Sequence, residues 1–318
     1  MHREVGTFIQ SKARDIPYKR VIKPPKLRPG DLIGVISPAG PLHKKELRSG
    51  LKAIESAGFK VRLGPHVYQH RGYLAGEDLA RLSDLHDMFR DPEIQAIFCA
   101  RGGYGSLRLL DKIDYDLIKE NPKILVGYSD IIALLMAIYK ETGLITFHGP
   151  MVRELNQRGE DNWRHLLNLI SLNQPLKVSL KQGSALRTGK ATGPLLGGNL
   201  SMICHLVGTP FLPSLDDCIL FLEEKGEPLY RLDRMMTHLK LSNSLDRLAG
   251  LVAGQFEECG DPSVINRFLA NQLTDLEIPA GTGLMVGHGH TNVAVPLGLT
   301  AHLDMDTMTL STTEGSCK

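Results

Sequence analysis

The chain has 318 residues, which is enough for two domains of ordinary size. Hydrophobic residues make up 42% and charged residues 23%, a composition that excludes the disordered and fibrous classes. The formal net charge of +2 gives no reason to expect nucleic acid or an anionic membrane surface as the partner.

Cysteine usage and the N-terminal segment bear on location. The five cysteines are scattered, and no pair has the spacing of a metal or redox motif, which predicts a reducing compartment. The polar N-terminus lacks the apolar core of a secretory signal, and no later stretch is apolar enough to span a bilayer. We therefore expect a cytoplasmic protein. Residues 1–22 are expected to form a disordered extension outside the fold.

Between residues 23 and 150, apolar runs alternate with segments of helical spacing. The runs predict strands at 31–37, 60–63, 94–100, 124–127 and 144–147. The helical spacing predicts helices at 44–57, 79–89, 107–118 and 130–142. Such alternation is typical of a doubly wound parallel sheet, so we expect an α/β domain over 23–150.

The second half of the chain predicts another unit. Residues 151–190 are more polar, contain a helical piece at 163–170, and are interpreted as a connector. Over 191–318 we predict strands at 218–222, 248–252, 284–287 and 294–297, with helices at 229–241 and 262–273. The expected fold class is α/β, with a smaller C-terminal α/β domain beside the first.

The segment from Ile124 to Met136 is the most informative part of the chain. An apolar run stops at Gly127, Ser129 follows, and a helical pattern begins at once. A sharp strand-to-helix turn of this kind can expose a serine nucleophile, and the N–H of Asp130 at the helix start could stabilise an oxyanion. The alternative is that Ser129 only caps the helix, a common role for serine.

Other polar residues also follow predicted strands. Ser37, Arg101, Gly103 and Ser129 all come at carboxyl ends, where ligands of doubly wound sheets bind. The glycine-rich turn at 101–106 could aim the N–H of Gly103 at an oxyanion. It could also cradle a phosphate, although the usual glycine spacing and the lysine of a phosphate loop are absent, or it could only permit close packing.

Two strand ends of the second unit carry ionisable groups. An apolar run ends in Glu223 and Glu224, and another ends in His288, with His290 two residues on. Together with Ser129 they supply the three side chains of a triad, in which a carboxylate orients the histidine that activates the hydroxyl. Strand-end carboxylates are usually solvated, however, and a chain with 12 histidines places some of them at strand ends by chance.

Several short motifs in this order resemble the LD-carboxypeptidase family of serine peptidases, from about residue 23 to residue 310. The motifs are Pro29-Gly-Asp-Leu-Ile-Gly-Val-Ile-Ser-Pro-Ala, Tyr73-Leu-Ala-Gly, Ala100-Arg-Gly-Gly-Tyr-Gly-Ser, Gly127-Tyr-Ser-Asp, His148-Gly-Pro-Met, Gly197-Gly-Asn-Leu, Leu222-Glu-Glu-Lys-Gly-Glu-Pro-Leu-Tyr-Arg, Gly287-His and Val295-Pro-Leu-Gly. The resemblance implies a flavodoxin-like N-terminal domain, a smaller C-terminal domain and an active site in the cleft between them.

The resemblance also implies roles for individual residues. The family's nucleophile, carboxylate and histidine fall on Ser129, Glu223 and His288, and its oxyanion donors on the amides of Gly103 and Asp130. Glu224 and His290 remain the neighbouring alternatives, since side chains alternate along a strand and only one glutamate can face the histidine.

The substrate implied is a murein tetrapeptide, whose terminal bond joins an L-configured centre to D-alanine, in cytoplasmic cell-wall recycling. Arg101 and Arg231 are the candidates for binding the substrate's terminal carboxylate. Either could instead be an ion-paired structural arginine, and this is the favoured alternative for Arg231, which lies within a predicted helix. No cofactor is expected, and no spacing of histidines and carboxylates suggests a metal. A homodimer is expected, as it is the commonest assembly.

Two other functions compete with this one. A branch of the family cleaves microcin-type peptidyl nucleotides and stacks the base on aromatic side chains, for which Trp163 in the connector is the candidate. The chain could also be a two-domain protein that binds a small molecule without chemistry.

Overall fold

The chain forms two β-sheets, and apolar runs of the sequence form the central strands of both. The computed structural model describes residues 21–155, 160–274 and 276–318. Of the extension predicted over 1–22, only Val21 and Ile22 are among the described residues. The backbone of Ile22 already bonds to the fold, since its N–H donates to Gly143 O and its carbonyl accepts from the N–H of Ile145.

The first sheet has six strands in the order β12-β5-β4-β3-β1-β2, all parallel except β12. The strands are β1 (Leu32–Ile36), β2 (Lys60–Leu63), β3 (Ile94–Cys99), β4 (Ile124–Gly127), β5 (Thr146–His148) and β12 (Val295–Leu297). The five parallel strands have the doubly wound flavodoxin order, which confirms the expected fold class. Ligands of such sheets bind where the order reverses, here between the carboxyl ends of β1 and β3.

Helices cover both faces of this sheet: α1 (Lys44–Ser56), α2 (Asp78–Arg90), α3 (Tyr115–Glu120) and α4 (Ile132–Thr142). In α4, every residue from Ile132 to Ile138 is buried, because the helix lies between the first sheet and the second unit. A Cβ at Gly198 would lie 2.4 Å from Ile132 Cδ1. The backbone of β8 therefore packs so closely against α4 that any residue larger than glycine would clash.

The second sheet has eight strands in the order β6-β14-β13-β8-β9-β10-β11-β7, with β8 to β11 parallel at its centre. The strands are β6 (Lys177–Ser179), β7 (Ala185–Arg187), β8 (Lys190–Asn199), β9 (Ile219–Lys225), β10 (Gly250–Glu257), β11 (Ala280–Thr282), β13 (Thr300–Asp304) and β14 (Thr309–Thr312). The associated helices are α5 (Glu160–Ile170), α6 (Leu200–Leu206), α7 (Leu229–Leu241) and α8 (Pro262–Thr274). The connector predicted over 151–190 thus contributes β6 and β7 to this sheet.

Three element predictions were wrong. Residues 107–118 do not form one helix but a 3-10 helix at Ser106–Lys112 followed by α3. Residues 284–287 are irregular, although Leu284 and Val286 are fully buried. The run at 294–297 does not close the second unit; as β12 it returns to the first sheet and pairs with β5. Pro296 lacks an N–H, and an edge strand is where a sheet tolerates it.

Across the described ranges, none of the helices combines the length and apolar character needed to cross a bilayer.

Candidate active site

Ser129 lies on a strained turn between β4 and α4. The turn is a single 3-10 segment, Ser129–Ile131, and the φ of Ser129 is 62°, a value that non-glycine residues rarely adopt. Such a backbone conformation costs on the order of 1–3 kcal/mol and persists only where the surrounding structure enforces it. The turn therefore has the geometry of a nucleophile elbow, with the hydroxyl at the carboxyl end of a central strand.

The structure brings Ser129, His288 and Glu223 together from three distant parts of the chain. Ser129 Oγ is 3.1 Å from His288 Nε2, and His288 Nδ1 is 2.8 Å from Glu223 Oε2. Glu223 is fully buried, and the His288 side chain is 13% exposed. Both distances are within hydrogen-bond range, so the hydroxyl, imidazole and carboxylate form one hydrogen-bonded chain in which the histidine can accept the proton of the hydroxyl.

Glu223 and Glu224 point to opposite sides of β9. The carboxylate of Glu224 accepts from Asn199 Nδ2 at 2.7 Å and from the N–H of Ser201 at 2.8 Å, at the start of α6. Burial raises the pKa of Glu224, and the backbone N–H of Lys225 opposes that rise. Glu224 thus stabilises the start of α6, and Glu223 is the carboxylate that contacts the histidine.

His288 lies on residues 283–294, which connect β11 in the second sheet to β12 in the first. We call this stretch the crossover segment. Gly287, with a φ of 119°, passes directly over Glu223, and a Cβ there would lie 2.7 Å from Glu223 Oε2. A side chain at this position would displace the carboxylate. His290, the alternative base, is exposed, and its carbonyl rather than its ring is held by the fold.

Three side-chain amides hold the crossover segment in place. The N–H of Gly287 donates to Asn292 Oδ1 at 3.0 Å, and the N–H of Asn292 donates to Asn162 Oδ1 at 3.0 Å. Asn162 Nδ2 in turn donates to His290 O at 3.0 Å, and Gln255 Oε1 accepts from the N–H of Gly289 at 3.1 Å. Helix α5, in the predicted connector, therefore orients the loop that carries His288.

The peptide between Gly102 and Gly103 is oriented from behind by the loop after β1. The carbonyl of Gly102 accepts from the N–H of Gly40 at 3.0 Å. In a trans peptide the carbonyl and the following N–H point in opposite directions, so the N–H of Gly103 points away from Gly40. Ser129 lies beside this peptide, since a Cβ on Gly102 would be 3.1 Å from Ser129 Oγ.

The side chains of Asp130 and Arg81 fix the same glycine-rich loop. The Asp130 carboxylate accepts from the N–H of Gly105 at 3.3 Å and of Ser106 at 2.9 Å. Arg81 is 1% exposed, and its guanidinium donates to the carbonyls of both Pro38 and Gly105. A buried cation thus ties the loop after β1 to the loop after β3, at the point where the strand order reverses.

A cavity of 260 Å³ opens over Ser129 and His288. Its lining also includes Arg101, Gly102, Gly103, Tyr128, Met151, Arg153, Glu154 and Lys225. Arg231 is not one of the described residues that line this cavity. The Arg231 guanidinium pairs with Glu227 at 3.2 Å and lies over the Tyr230 ring, and its role in substrate binding stays a prediction.

Aromatic rings form the wall behind the imidazole. The Tyr128 ring is 4.9 Å from the His288 ring and 5.4 Å from that of His148, measured between centroids. His148 is fully buried, and burial, with a smaller contribution from His288, lowers its pKa to about 3. His148 is therefore neutral at physiological pH and adds no charge beside His288.

Trp163 is turned toward the first domain. Its ring makes edge contacts with Phe98 of β3 and with Phe59, at centroid distances of 6.0 Å and 6.5 Å. Trp163, the candidate for stacking on a nucleotide base, is thus partly buried and packs against the hydrophobic core. In the described part of the chain, no group of three or more His, Cys, Asp or Glu side chains could hold a metal ion.

Sequence reasoning missed several residues that the structure brings to the site: Gly40, Arg153, Asn162, Lys225 and Asn292. For Lys225 a signal existed, because residues two apart on a strand share a face and Lys225 follows Glu223 by two. For the others only the folded chain supplies the contact.

Fold and geometry together place the chain among the serine hydrolases built on an α/β sheet. Two family descriptions match it: the LD-carboxypeptidase N-terminal domain over residues 33–149 and the LD-carboxypeptidase C-terminal domain over residues 192–303. The chain therefore belongs to the LD-carboxypeptidase family and is a serine-type peptidase.

Individual relatives agree with this assignment. A probable murein peptide carboxypeptidase of Bacillus subtilis is 39% identical over 89% of this chain and 91% of its own length. The murein tetrapeptide carboxypeptidase of Pseudomonas aeruginosa is 33% identical over 86% of this chain and 92% of its own. Among solved structures, an MccF-like protein from Bacillus anthracis superposes with a TM-score of 0.84 at 30% identity, covering 92% of this chain and 100% of that one.

Proposed function

We propose that this peptidase hydrolyses the terminal L–D peptide bond of murein tetrapeptides and releases D-alanine in cell-wall recycling. The observation that carries the proposal is the continuous chain from Ser129 Oγ through His288 to the buried Glu223, at 3.1 Å and 2.8 Å. The names of the Bacillus and Pseudomonas relatives support the substrate class.

The first half-reaction makes an acyl-enzyme. Ser129 Oγ attacks the carbonyl carbon of the terminal peptide bond while its proton moves to His288 Nε2. The Nδ1–H of His288 donates to Glu223 Oε2, which holds the ring in the tautomer that leaves Nε2 free to accept. The buried carboxylate also stabilises the imidazolium that forms.

Two backbone N–H groups donate hydrogen bonds to the oxygen on which negative charge develops. The N–H of Gly103 points away from Gly40, and the N–H of Asp130 lies in the first turn after β4, where helical amides lack intrahelical partners. Donors placed in this way before the reaction starts stabilise the tetrahedral oxyanion, and losing one typically raises the barrier by about 2.7–4 kcal/mol.

The second half-reaction regenerates the enzyme. His288 gives its proton to the nitrogen of the departing amino acid, and the C–N bond breaks to leave an ester on Ser129. Water then attacks the ester carbonyl and loses its proton to His288, which returns it to Ser129 Oγ as the C–O bond breaks. Atoms and charge balance with no further reactant.

The competing substrate is a peptidyl nucleotide, as in the microcin-type branch of the family. The edge contacts of Trp163 with Phe59 and Phe98 favour a packing role for this ring, which is partly buried against the hydrophobic core. Hydrolysis assays on a murein tetrapeptide and on a peptidyl adenylate separate the two. A higher kcat/KM for the adenylate would reverse the assignment.

A fluorophosphonate probe tests the mechanism and separates an enzyme from a non-catalytic binding protein. We expect the wild type to be labelled and to release D-alanine from the tetrapeptide, and Ser129→Ala to do neither while keeping the wild-type melting temperature. Labelling of Ser129→Ala equal to that of the wild type, or D-alanine release by that variant, would refute the role of Ser129.

We further propose a cytoplasmic location and a homodimer. The five cysteines are free and buried, which suits a reducing compartment. Sedimentation of the purified protein measures the assembly; a single species of monomer mass would overturn the dimer.

A further inference from the structure

Three cations line the same cavity as Ser129 and His288. Arg101 follows β3, Arg153 lies in the 3-10 helix Val152–Glu154, and Lys225 ends β9. We call Arg101, Arg153 and Lys225 the cation cluster. Two members come from loops of the first sheet and one from a strand of the second, so only the folded chain brings them together.

The present partners of the cluster leave it able to bind an anion. Arg101 Nη1 donates to the carbonyl of Pro41 at 2.8 Å, a neutral acceptor. Arg153 pairs with Glu46 at 3.3 Å and Lys225 with Glu258 at 3.0 Å, and each of these two cations is 38% exposed. Ion pairs exposed to this degree contribute little free energy, so a ligand carboxylate can compete for both cations.

The residues that line the cavity include more cations than carboxylates, and the carboxylates of Glu46 and Glu258 that pair with Arg153 and Lys225 are not part of that lining. Against the three cations the lining offers one carboxylate, Glu154, whose Oε1 accepts from the hydroxyl of Tyr128 at 2.6 Å. Burial lowers the pKa of Arg101 and the neighbouring charge of Arg153 lowers it further, while the carboxylates of Glu46 and Glu154 oppose the shift. Arg101 and Arg153 line the same cavity, and an anion bound there would reduce the repulsion between their charges.

We propose that the cation cluster binds the free C-terminal carboxylate of the peptide substrate and thereby restricts cleavage to the last peptide bond. This inference rests on the proposed function and adds to it the residues that select a chain terminus. A carboxylate held beside Ser129 places the bond next to it at the nucleophile. A peptide whose terminus is an uncharged amide loses that anchor.

The test compares one L–D tetrapeptide as free acid and as C-terminal carboxamide. We expect the wild type to prefer the acid by about 100-fold in kcat/KM, as charge-assisted hydrogen bonds would provide. Arg153→Gln and Lys225→Met should each lower kcat/KM for the acid by about 10-fold, mainly through KM, and leave that for the amide unchanged. Arg247→Gln and Lys190→Met, surface cations outside the cavity, are the matched controls.

Each outcome decides the proposal. A reduced acid-to-amide ratio in both cavity variants, with the wild-type ratio in both controls, supports the cation cluster. Equal cleavage of acid and amide by the wild type overturns the cluster but leaves the peptidase assignment intact, as does an equal loss on both peptides in the variants. If neither peptide is hydrolysed although the fluorophosphonate labels Ser129, the proposed substrate fails and this inference fails with it.

Discussion

The nucleophile side of the candidate active site and its base side are held by different kinds of contact. On the nucleophile side, Ser129 and the loop after β3 are fixed by Gly40, Arg81 and Asp130, all within the first domain. These contacts join the short loops that follow neighbouring parallel strands at their carboxyl ends. Such geometry follows from the doubly wound sheet itself.

On the base side, the crossover segment spans two sheets and is fixed by amide side chains from α5 and β10. The bond from Asn162 to His290 joins residues 128 positions apart, and the contact from His288 to Ser129 joins residues 159 apart. The comparison teaches that the reactive hydroxyl is built locally, whereas its base is positioned by long-range contacts. Variants on the two sides should therefore fail in different ways.

The largest effect is expected at the buried carboxylate. Glu223→Gln should lower kcat by roughly 10³–10⁴-fold with little change in KM, because an amide cannot hold the reactive tautomer or balance an imidazolium. The adjacent Glu224→Gln is the control. It should keep its kcat but lower the melting temperature, since Glu224 accepts from Asn199 and Ser201 at the start of α6. Equal losses of kcat in both variants would contradict the assignment of Glu223.

A methyl group on the nucleophile side should act on the oxyanion alone. Gly40→Ala places a Cβ 2.9 Å from Gly102 O and 3.4 Å from Gly103 Cα, so the peptide that presents the Gly103 N–H must shift. We expect kcat to fall by about 10²-fold, the scale of one misplaced oxyanion donor, with KM nearly unchanged.

The control for that variant is Gly58→Ala, where an added methyl meets nothing within 4 Å. Its positive φ makes the alanine strained, so the melting temperature should fall while kcat stays at the wild-type value. A wild-type kcat in Gly40→Ala would show that the loop after β1 does not orient the oxyanion donor.

The same contrast explains what could be predicted from sequence. The centre of the first sheet was predictable because β1, β3 and β4 are buried apolar runs, each ended by a glycine or followed within three residues by a glycine or proline. Ser129 was predictable for the same reason, since its turn is encoded by adjacent residues. By contrast, β12 is only three residues long, and nothing in Val295-Pro-Leu tells which sheet edge it joins.

Long-range partners could not be predicted. Alternation along β9 predicts that only one of Glu223 and Glu224 faces the histidine. Which contacts each glutamate makes depends on the pairing of β9 with β8, in which Asn199 lies opposite Glu223. Arg101 and Arg231 both lie within family motifs, and of these two only Arg101 is part of the lining of the cavity over Ser129. Asn162 carries no signal at all, since a single asparagine in a polar segment is ordinary.

The smallest effect is expected at Asn162, on the base side. Asn162→Ala removes the donor to His290 O and the acceptor for the buried N–H of Asn292, and leaving that buried N–H unsatisfied costs about 1–3 kcal/mol. The crossover segment would then hold His288 less firmly, so we expect kcat and the rate of fluorophosphonate labelling to fall together, by about 10-fold.

Arg164→Ala on the same helix is the control, because Arg164 is 72% exposed and, among the described residues, pairs only with Asp161, which is also exposed. It should change neither rate. Parallel loss of kcat and labelling rate in Asn162→Ala alone would show that α5 positions the base, since labelling reports the reactivity of Ser129 without any peptide bound. A drop in kcat with an unchanged labelling rate would instead place the effect of Asn162 on the substrate, and the base side would then depend on Asn292 and Gln255 without help from α5.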